Sequence, residues 1–192
     1  MSHSRTTTYP INQVFLDRWS PRFFLEKEVS DEVLFSLFEA SRRASHPFNF
    51  QYWRFILARK QEDREKFYSF IAEGNLAWCQ KAPVLTLIIS EMNNKKEFNK
   101  SHSSDTGAAW GYLLLEATKK GLITHPMTGF DFKSARRILN IPEKYTINAL
   151  VAIGYQDNKE ELPKIIQQRE NPILRYETKD VLFEGSFGQK IK

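Results

Sequence analysis

Three short polar segments of this sequence carry the side chains best suited to binding or catalysis. The first patch, residues 18–22, places the guanidiniums of Arg18 and Arg22 on either side of the Ser20 hydroxyl. Arginine binds phosphate bidentately, and each charge-assisted hydrogen bond contributes about 1.5–3 kcal/mol. The first patch therefore predicts an oxyanion site, although a solvated basic turn would have the same composition.

The second patch, residues 44–53, is a proline-containing loop between a predicted helix and a predicted strand. It carries His46, Asn49 and Gln51, and an amide side chain offers both donors and acceptors. These groups suit the edge of a heteroaromatic ring.

The third patch, residues 121–131, combines glycine and proline just before a predicted helix. A segment of this composition can direct backbone N–H groups at a ligand. We predict that it forms a loop.

The sequence lacks the motifs of several alternative chemistries. Residues 101–105 contain Ser, His and Asp, but no G-x-S-x-G elbow is present, and we expect Ser104 or Asp105 to cap the following helix instead. The four histidines have no metal-ligand spacing, and neither a Walker A loop nor a G-x-G-x-x-G fingerprint occurs. The single cysteine, Cys79, excludes an intramolecular disulfide and a Cys-rich metal site. We therefore nominate no catalytic and no metal-binding residue.

The hydrophobic pattern predicts the elements that position these patches. Residues 83–90 and 147–155 are almost wholly apolar, and residues 53–58 form a third predicted strand. Continuously apolar strands indicate a sheet covered on both faces. Helical patterns occupy residues 31–43, 60–72, 103–120 and 131–139. We therefore expect a three-layer α–β–α domain.

Two segments carry more apolar side chains than one buried face accounts for. The helix predicted over residues 103–120 has hardly any polar face, so we expect it to be buried all round, in the core or at a subunit interface. Residues 156–192 are polar and interrupted by Pro163 and Pro172, yet contain scattered apolar side chains. Such a tail cannot fold alone, and we expect it to lie on its own domain or a partner, or to fray.

Length, composition and charge exclude several classes of protein. With 192 residues, of which 41% are hydrophobic, we expect one domain over residues 1–192 and neither a disordered nor a fibrous chain. The net charge is +5, but basic residues occur singly or in pairs without a nucleic-acid signature, which favours a small anionic ligand over nucleic acid. The N-terminus lacks an apolar secretory core, and the longest apolar run is too short for a bilayer. We expect a cytoplasmic protein without membrane contact.

The ordered set of motifs resembles the nitroreductase family of FMN-dependent oxidoreductases. The family's Arg-x-Ser-x-Arg/Lys element corresponds to the first patch, and its A-P-S-x-x-N-x-Q-P-W pattern corresponds to the second. Further matches, in order, are Ala82-Pro83-Val84, Gly121-Leu122-Ile123-Thr124, Pro126 with Gly129-Phe130-Asp131, Ala152-Ile153-Gly154-Tyr155, and Arg175. The resemblance covers nearly the whole chain. No single motif is decisive, but the ordered set is specific.

The resemblance implies an α+β, three-layer α–β–α fold with a central mixed or antiparallel sheet, in a homodimer. It implies FMN at the subunit interface and a domain-swapped C-terminal arm, about residues 156–192, wrapped over the other subunit. The implied activity is ping-pong electron transfer from NADH or NADPH, through FMN, to an electrophilic acceptor such as a nitroaromatic or a quinone. A flavin-binding sensor without catalysis is the alternative on the same scaffold. No catalytic side chain is implied, since the flavin performs the chemistry.

The resemblance also implies which residues contact the cofactor. Arg18, Ser20 and Arg22 would hold the FMN phosphate, ribityl chain and pyrimidine edge, and Arg175 would add a second cation at the phosphate. The complete set of implied contacts is Arg18, Trp19, Ser20, Arg22, His46, Asn49, Gln51, Asn75, Pro126, Met127, Thr128, Gly129 and Arg175.

The implied contacts of the second and third patches lie against the ring system. Asn49 and Gln51 would lie against the isoalloxazine or the ribityl arm, and His46 would donate to the flavin or only fill space. The backbone at Thr128 and Gly129 would face flavin N5.

This sequence departs from the family pattern at several positions. Ser45-His46 replaces Pro-Ser, Tyr52 replaces Pro, and Trp19 stands where some relatives carry a basic residue. Aromatic side chains of the second patch would line a flat substrate slot or belong to the core: Phe48, Phe50 and Tyr52.

Overall fold

The computed structural model describes residues 5, 7–94, 97–98, 100–162, 164–167, 170 and 175–191. Its strands are β1 (Phe24–Leu25), β2 (Trp53–Ala58), β3 (Val84–Glu91), β4 (Asn93–Asn94), β5 (Glu97–Phe98), β6 (Ile123–Met127) and β7 (Tyr145–Gln156). Its helices are α1 (Gln13–Asp17), α2 (Asp31–Ser41), α3 (Gln61–Tyr68), α4 (Glu73–Cys79), α5 (His102–Lys119), α6 (Phe132–Ile138), α7 (Lys164–Gln167) and α8 (Thr178–Val181).

Strand β7 is the centre of the main sheet. Its residue Leu150 lies opposite Leu87 of β3 on one edge and opposite Met127 of β6 on the other. β2 pairs with the outer edge of β3, and β1 pairs with the end of β7. All pairings among the described strands are antiparallel. The strands predicted from the apolar runs are confirmed as β2, β3 and β7.

Alternate residues of β3 face two separate cores. Leu85 and Leu87 belong to the core that includes Trp78 of α4. Val84 and Ile88 belong to the core that includes Leu113 of α5. Because successive side chains of a strand point to opposite faces, both sides of the sheet are covered by helices. The α+β, three-layer arrangement is therefore confirmed.

Gly154 allows the segment that carries the first patch to lie close against the sheet. A Cβ atom at this position of β7 would lie 2.6 Å from Pro83 Cδ and 3.1 Å from Phe24 Cδ1. Phe24 belongs to β1, which follows the first patch by two residues. The small size of glycine therefore helps to fix the position of the first patch.

Helix α5 does not have the environment that its composition predicts. Ala109, Leu113 and Ala117 are buried, but Ala108 and Tyr112 are exposed, so the prediction of all-round burial is wrong for the single chain. The cap prediction is also wrong, because the helix begins at His102 and Ser104 and Asp105 lie in its first turn. One side of α5 is thus an apolar surface in the isolated chain: Ala108 and Tyr112.

Strand β6 and helix α4, which lie near the third patch, are among the elements that were not predicted. Part of the third patch, predicted as a loop, forms strand β6, because its backbone pairs with β7 although its sequence contains Pro126. An edge position tolerates proline, since one side of the strand needs no ladder hydrogen bond. The helix predicted over residues 60–72 ends at Tyr68, and the separate helix α4 follows it.

The described part of the tail after β7 has two buried residues, and most of its end is exposed. Leu162 and Glu170 are buried, whereas residues 175–182 and 184–191 are exposed, Phe187 by 94%. Pro163 and Pro172 lie outside the described residues. No helix in the described ranges combines the length and apolarity needed to cross a membrane.

Candidate functional site

The first patch begins where helix α1 ends. Asn12 caps α1 by accepting from the Val14 N–H, and the chain leaves the helix in an extended conformation at Arg18. The half-buried Arg18 lies with its Nη1 atom 3.4 Å from Ser20 Oγ. This short helix and its extended exit therefore bring the guanidinium and the hydroxyl together, as predicted.

Three guanidiniums interact electrostatically at the first patch: those of Arg5, Arg18 and Arg175. Arg5 Nη1 donates a hydrogen bond to the Arg18 carbonyl. Burial lowers the pKa of the Arg18 guanidinium below its ordinary value, and the charges of Arg5 and Arg175 lower it further. Mutual repulsion makes such a cluster unfavourable unless an anion offsets it. The donor set of Arg5, Arg18, Ser20 and Arg175 fits a phosphate group.

Arg22 has a different environment from Arg18. Its Nη1 atom lies 2.6 Å from Glu170 Oε1, and its backbone N–H donates to Glu170 Oε2 at 3.0 Å. The carboxylate is only 1% exposed, whereas the Arg22 side chain is 32% exposed. The guanidinium is therefore held at one end by the tail and faces outward with its remaining donors.

His125 joins the first patch to the third. Its Nδ1 atom lies 3.1 Å from the Pro21 carbonyl oxygen, and because a carbonyl only accepts, Nδ1 carries the proton. Its ring packs on Trp78, with centroids 4.5 Å apart. Burial, with a contribution from the Arg22 charge, lowers the pKa of His125 to about 4. His125 is therefore a neutral support for the first patch.

We expect His125 to make the protein less stable in acid. The unfolded chain binds a proton at the ordinary pKa of 6.5, whereas the folded chain binds it only near 4. The stabilisation is therefore complete above pH 6.5 and is lost as the pH falls to about 4, at a cost of up to about 3 kcal/mol. Denaturant unfolding at several pH values measures this loss.

The control for this prediction is His125→Asn, whose amide can still donate to the Pro21 carbonyl. The pH dependence of its unfolding free energy should be shallower than that of the wild type over this interval. Parallel curves for the two proteins would contradict the assignment to His125.

The end of the third patch is a backbone segment clamped by α4. The Gly129 carbonyl accepts from the Ala72 N–H and from Asn75 Nδ2, each at 3.1 Å. A Cβ atom at position 129 would lie 2.3 Å from Asn75 Nδ2, so any other residue would displace the Asn75 side chain from this contact. Thr128 and Gly129 are exposed. The Gly129 backbone is therefore fixed, and its contact with a ligand stays a prediction.

Pro126 and Met127 contribute differently from their neighbours. Both belong to β6; Pro126 is half-buried, and the Met127 side chain packs in the core with Trp78. Trp19 is half-buried against the same core, with its ring 5.9 Å from that of Phe23. The side chain of Met127 therefore supports the site from beneath.

The second patch is a strained loop. Phe48, Asn49 and Gln51 all have positive φ angles, of 51°, 62° and 49°, a conformation that non-glycine residues adopt at an energetic cost. Gln51 Nε2 donates to Asn49 Oδ1 at 2.8 Å. Strain of this kind is concentrated at functional sites, and ligand binding by this loop stays a prediction.

His46 and the aromatic residues of the second patch have distinct environments. His46 Nδ1 is buried and has no hydrogen-bond partner among the described residues, and its ring centroid is 5.5 Å from that of Trp53. Phe48 is 88% exposed and Phe50 is also exposed, whereas Tyr52 is buried. Tyr52 is therefore a core residue, and the other two rings remain available at the surface.

A single chain does not bring the three patches together. His125 links the first patch to the third. The second patch instead packs near α5, where Ala44, Trp53 and Ala109 form a small core. Within the described ranges, no hydrogen bond or ring contact joins the second patch to the other two. Among the described residues, a contact therefore joins the first patch to the third but not to the second.

Three residues of the site have roles that the sequence does not predict: Arg5, His125 and Glu170. Arg5 is an isolated basic residue near the N-terminus, and Glu170 is one of many charged residues in the polar tail. His125 was noted as part of the third patch, but nothing in its neighbours indicates burial. No group of three potential metal ligands occurs in the described part of the chain.

Comparison with known proteins identifies the family to which this fold belongs. The sequence model described as the nitroreductase family matches residues 16–78 and 70–155, which together cover most of the chain. The chain belongs to the nitroreductase family. The match contains the first two patches, β6, Gly129 and the central strand β7. It ends before the tail, so the Glu170 contact lies outside the part that the family model recognises.

Individual relatives agree with this assignment. The chain is 28% identical over 183 residues to the iodotyrosine deiodinase of Thermotoga neapolitana, with 82% of this chain and 91% of the relative covered. It is 27% identical over 173 residues to an NADH dehydrogenase of Thermus thermophilus, with 73% and 83% covered. A crystal structure of an oxidoreductase containing FMN shares 36% identity and a TM-score of 0.94, over 99% of both chains.

Proposed function

We propose that this nitroreductase-family protein binds FMN and transfers electrons from NADH or NADPH to an electrophilic acceptor, such as a nitroaromatic or a quinone, in the cytoplasm. The observation that carries the proposal is the Arg18 guanidinium beside the Ser20 hydroxyl, with Arg5 bonded to the Arg18 carbonyl and the charges of Arg5 and Arg175 acting on Arg18. The FMN named for the similar crystal structure ends in a phosphate, which would offset these charges.

The first patch would hold the two polar ends of FMN. Arg18, Ser20 and Arg175, together with Arg5, would bind the phosphate. Arg22 would face the pyrimidine edge, where its cationic charge would stabilise negative charge that develops on the ring system during reduction. Trp19 would contact the cofactor at the edge of the same patch.

The third patch would form the floor of the ring-binding site. The exposed backbone of Thr128 and Gly129 is held in place by Asn75 and would face the flavin, with Pro126 and Met127 supporting it. When bound, FMN supplies two-electron transfer, first from the reduced nicotinamide and then to the acceptor in ping-pong order. His125 is neutral and committed to the Pro21 carbonyl, so it is not proposed as an acid or base.

A second copy of the chain would complete the site. The second patch makes no hydrogen bond or ring contact with the other two among the described residues, and its His46, Asn49 and Gln51 would therefore reach FMN from the partner. The exposed apolar side of α5 and the tail from about residue 156 would supply the contact surface between copies of this single-domain chain. Aromatic residues exposed in the tail support this role: Tyr176 and Phe187.

The first experiment is a visible absorbance spectrum of the purified protein, followed by reconstitution with FMN. We expect a yellow protein that oxidises NADH or NADPH when a nitroaromatic or a quinone is supplied. An iodinated phenol belongs in the same acceptor panel, because one relative is an iodotyrosine deiodinase. A protein that takes up no FMN at saturating concentration would defeat the proposal, and FMN binding without turnover would indicate a sensor.

A further inference from the structure

Glu170 is the only acidic residue that is buried in the described part of the chain. Its Oε1 atom accepts from Arg22 Nη1 and its Oε2 atom from the Arg22 backbone N–H. Its own carbonyl accepts from Lys159 Nζ at 2.9 Å. Glu170 is therefore fixed through both its side chain and its backbone.

A buried carboxylate is unfavourable unless its charge and its lone pairs are satisfied. Here one residue, Arg22, satisfies both oxygens, although the two residues are 148 positions apart. The other acidic residues with a described ion pair are more exposed; the carboxylates of Glu39 and Glu177, for example, are 60% and 64% exposed. The pair of Arg22 and Glu170 is thus distinct from the solvated pairs of the surface.

The contact with Glu170 restricts the orientation of the Arg22 guanidinium. A guanidinium is planar and presents its donors in a rigid fork, so a carboxylate that holds one end also sets the direction of the other. The Arg22 side chain keeps 32% of its surface exposed. The donors that Glu170 leaves unused are therefore aimed away from the tail.

We propose that Glu170 is a positioning residue that directs Arg22 at the pyrimidine edge of FMN and lowers the reduction potential of the bound cofactor. This inference rests on the proposed function, in which Arg22 faces that edge. The Arg22 cation would stabilise the negative charge that reduction adds to FMN, and the carboxylate of Glu170 would destabilise it. Because Glu170 is buried, solvent and salt screen its charge only weakly. With both residues present, the reduction potential of bound FMN would lie between the value expected with Arg22 alone and the value expected with Glu170 alone.

Glu170→Gln in the FMN-loaded protein is the direct test. Glutamine keeps the size and one acceptor oxygen but removes the negative charge. We expect reduced FMN to be bound about tenfold more tightly relative to oxidised FMN, a positive shift of about 30 mV for a two-electron couple. An equilibrium redox titration against a reference dye measures this shift. Glu116→Gln is the matched control, since Glu116 pairs with Lys119 and Lys120 near the end of α5, and we expect no shift.

The double variant Arg22→Gln/Glu170→Gln separates the two charges. It removes both charges, and Arg22 would be the closer of the two to FMN. We therefore expect the reduction potential of the double variant to lie below that of the wild type. This variant also carries the test if Glu170→Gln does not fold or does not retain FMN, because replacing both partners leaves no buried charge unpaired. A double-variant potential equal to that of the single variant Arg22→Gln, which keeps the carboxylate, would then overturn the inference.

The failures of the two proposals are distinguishable. A wild-type protein that binds no FMN refutes the proposed function. A Glu170→Gln protein that binds FMN with the same potential as the Glu116→Gln control refutes only the role of Glu170. A merely structural role for Glu170 would lower the melting temperature of the variant and leave the potential unchanged.

Discussion

Replacing Arg18 with alanine is expected to raise the dissociation constant for FMN about 100-fold, since a charge-assisted interaction contributes about 1.5–3 kcal/mol and 1.4 kcal/mol is a factor of ten. Arg18 is half-buried, interacts electrostatically with Arg5 and Arg175, and lies beside Ser20. Titration of the apoprotein with FMN, followed by flavin fluorescence, measures the change.

The apoprotein supplies a second readout for Arg18→Ala. The substitution removes one of three repelling charges, so the melting temperature without FMN should be preserved while the stabilisation by FMN is lost. Arg42→Ala is the matched control, because Arg42 is exposed and paired with Glu39; its affinity for FMN should stay at the wild-type value. Asn49→Ala should weaken binding less than Arg18→Ala. Equal flavin occupancy in Arg18→Ala and the wild type would refute the phosphate assignment.

Mixing two defective proteins is expected to restore FMN binding if the partner supplies the second patch. One protein carries Arg18→Ala, and the other carries Asn49→Ala with Gln51→Ala. In a symmetric dimer each site would combine the first patch of one copy with the second patch of the other. A mixed dimer would then contain one doubly defective site and one site with no substitution.

The expected yield of this complementation follows from random exchange of subunits. About half of the dimers would be mixed, so about one quarter of all sites would regain wild-type affinity. The measurement is an FMN titration of the two proteins after joint unfolding and refolding, compared with the sum of separately refolded proteins. If the mixture equals that sum while both proteins fold and form mixed dimers, the second patch does not act from the partner.

Most of the sheet could be predicted because its strands carry their own signal. β3 and β7 are long apolar runs, and only a sheet covered on both faces accommodates such runs. β6 was missed because it contains Pro126 and lies at an edge, where pairing with β7 decides the conformation. The burial of α5 was overestimated because composition counts apolar side chains without showing which of them meet a neighbour in the same chain.

The candidate site likewise has parts that the sequence predicts and parts that only the folded structure shows. Arg18 and Ser20 are two residues apart, so their proximity is a local property that the sequence displays. Arg5 and Arg175 join them only after the chain has folded. Glu170 reaches Arg22 across 148 positions, and no local pattern in a polar tail marks one carboxylate as buried.

By itself the sequence determined the family, the three-layer α+β fold and the residue types of the three patches, because each depends on composition and spacing over short stretches. Only the tertiary structure decided that three guanidiniums interact electrostatically, that Glu170 holds Arg22, and that no described contact joins the second patch to the other two. These relations depend on distances between residues far apart in the chain. Such distances are set by how the helices and the tail pack on the sheet.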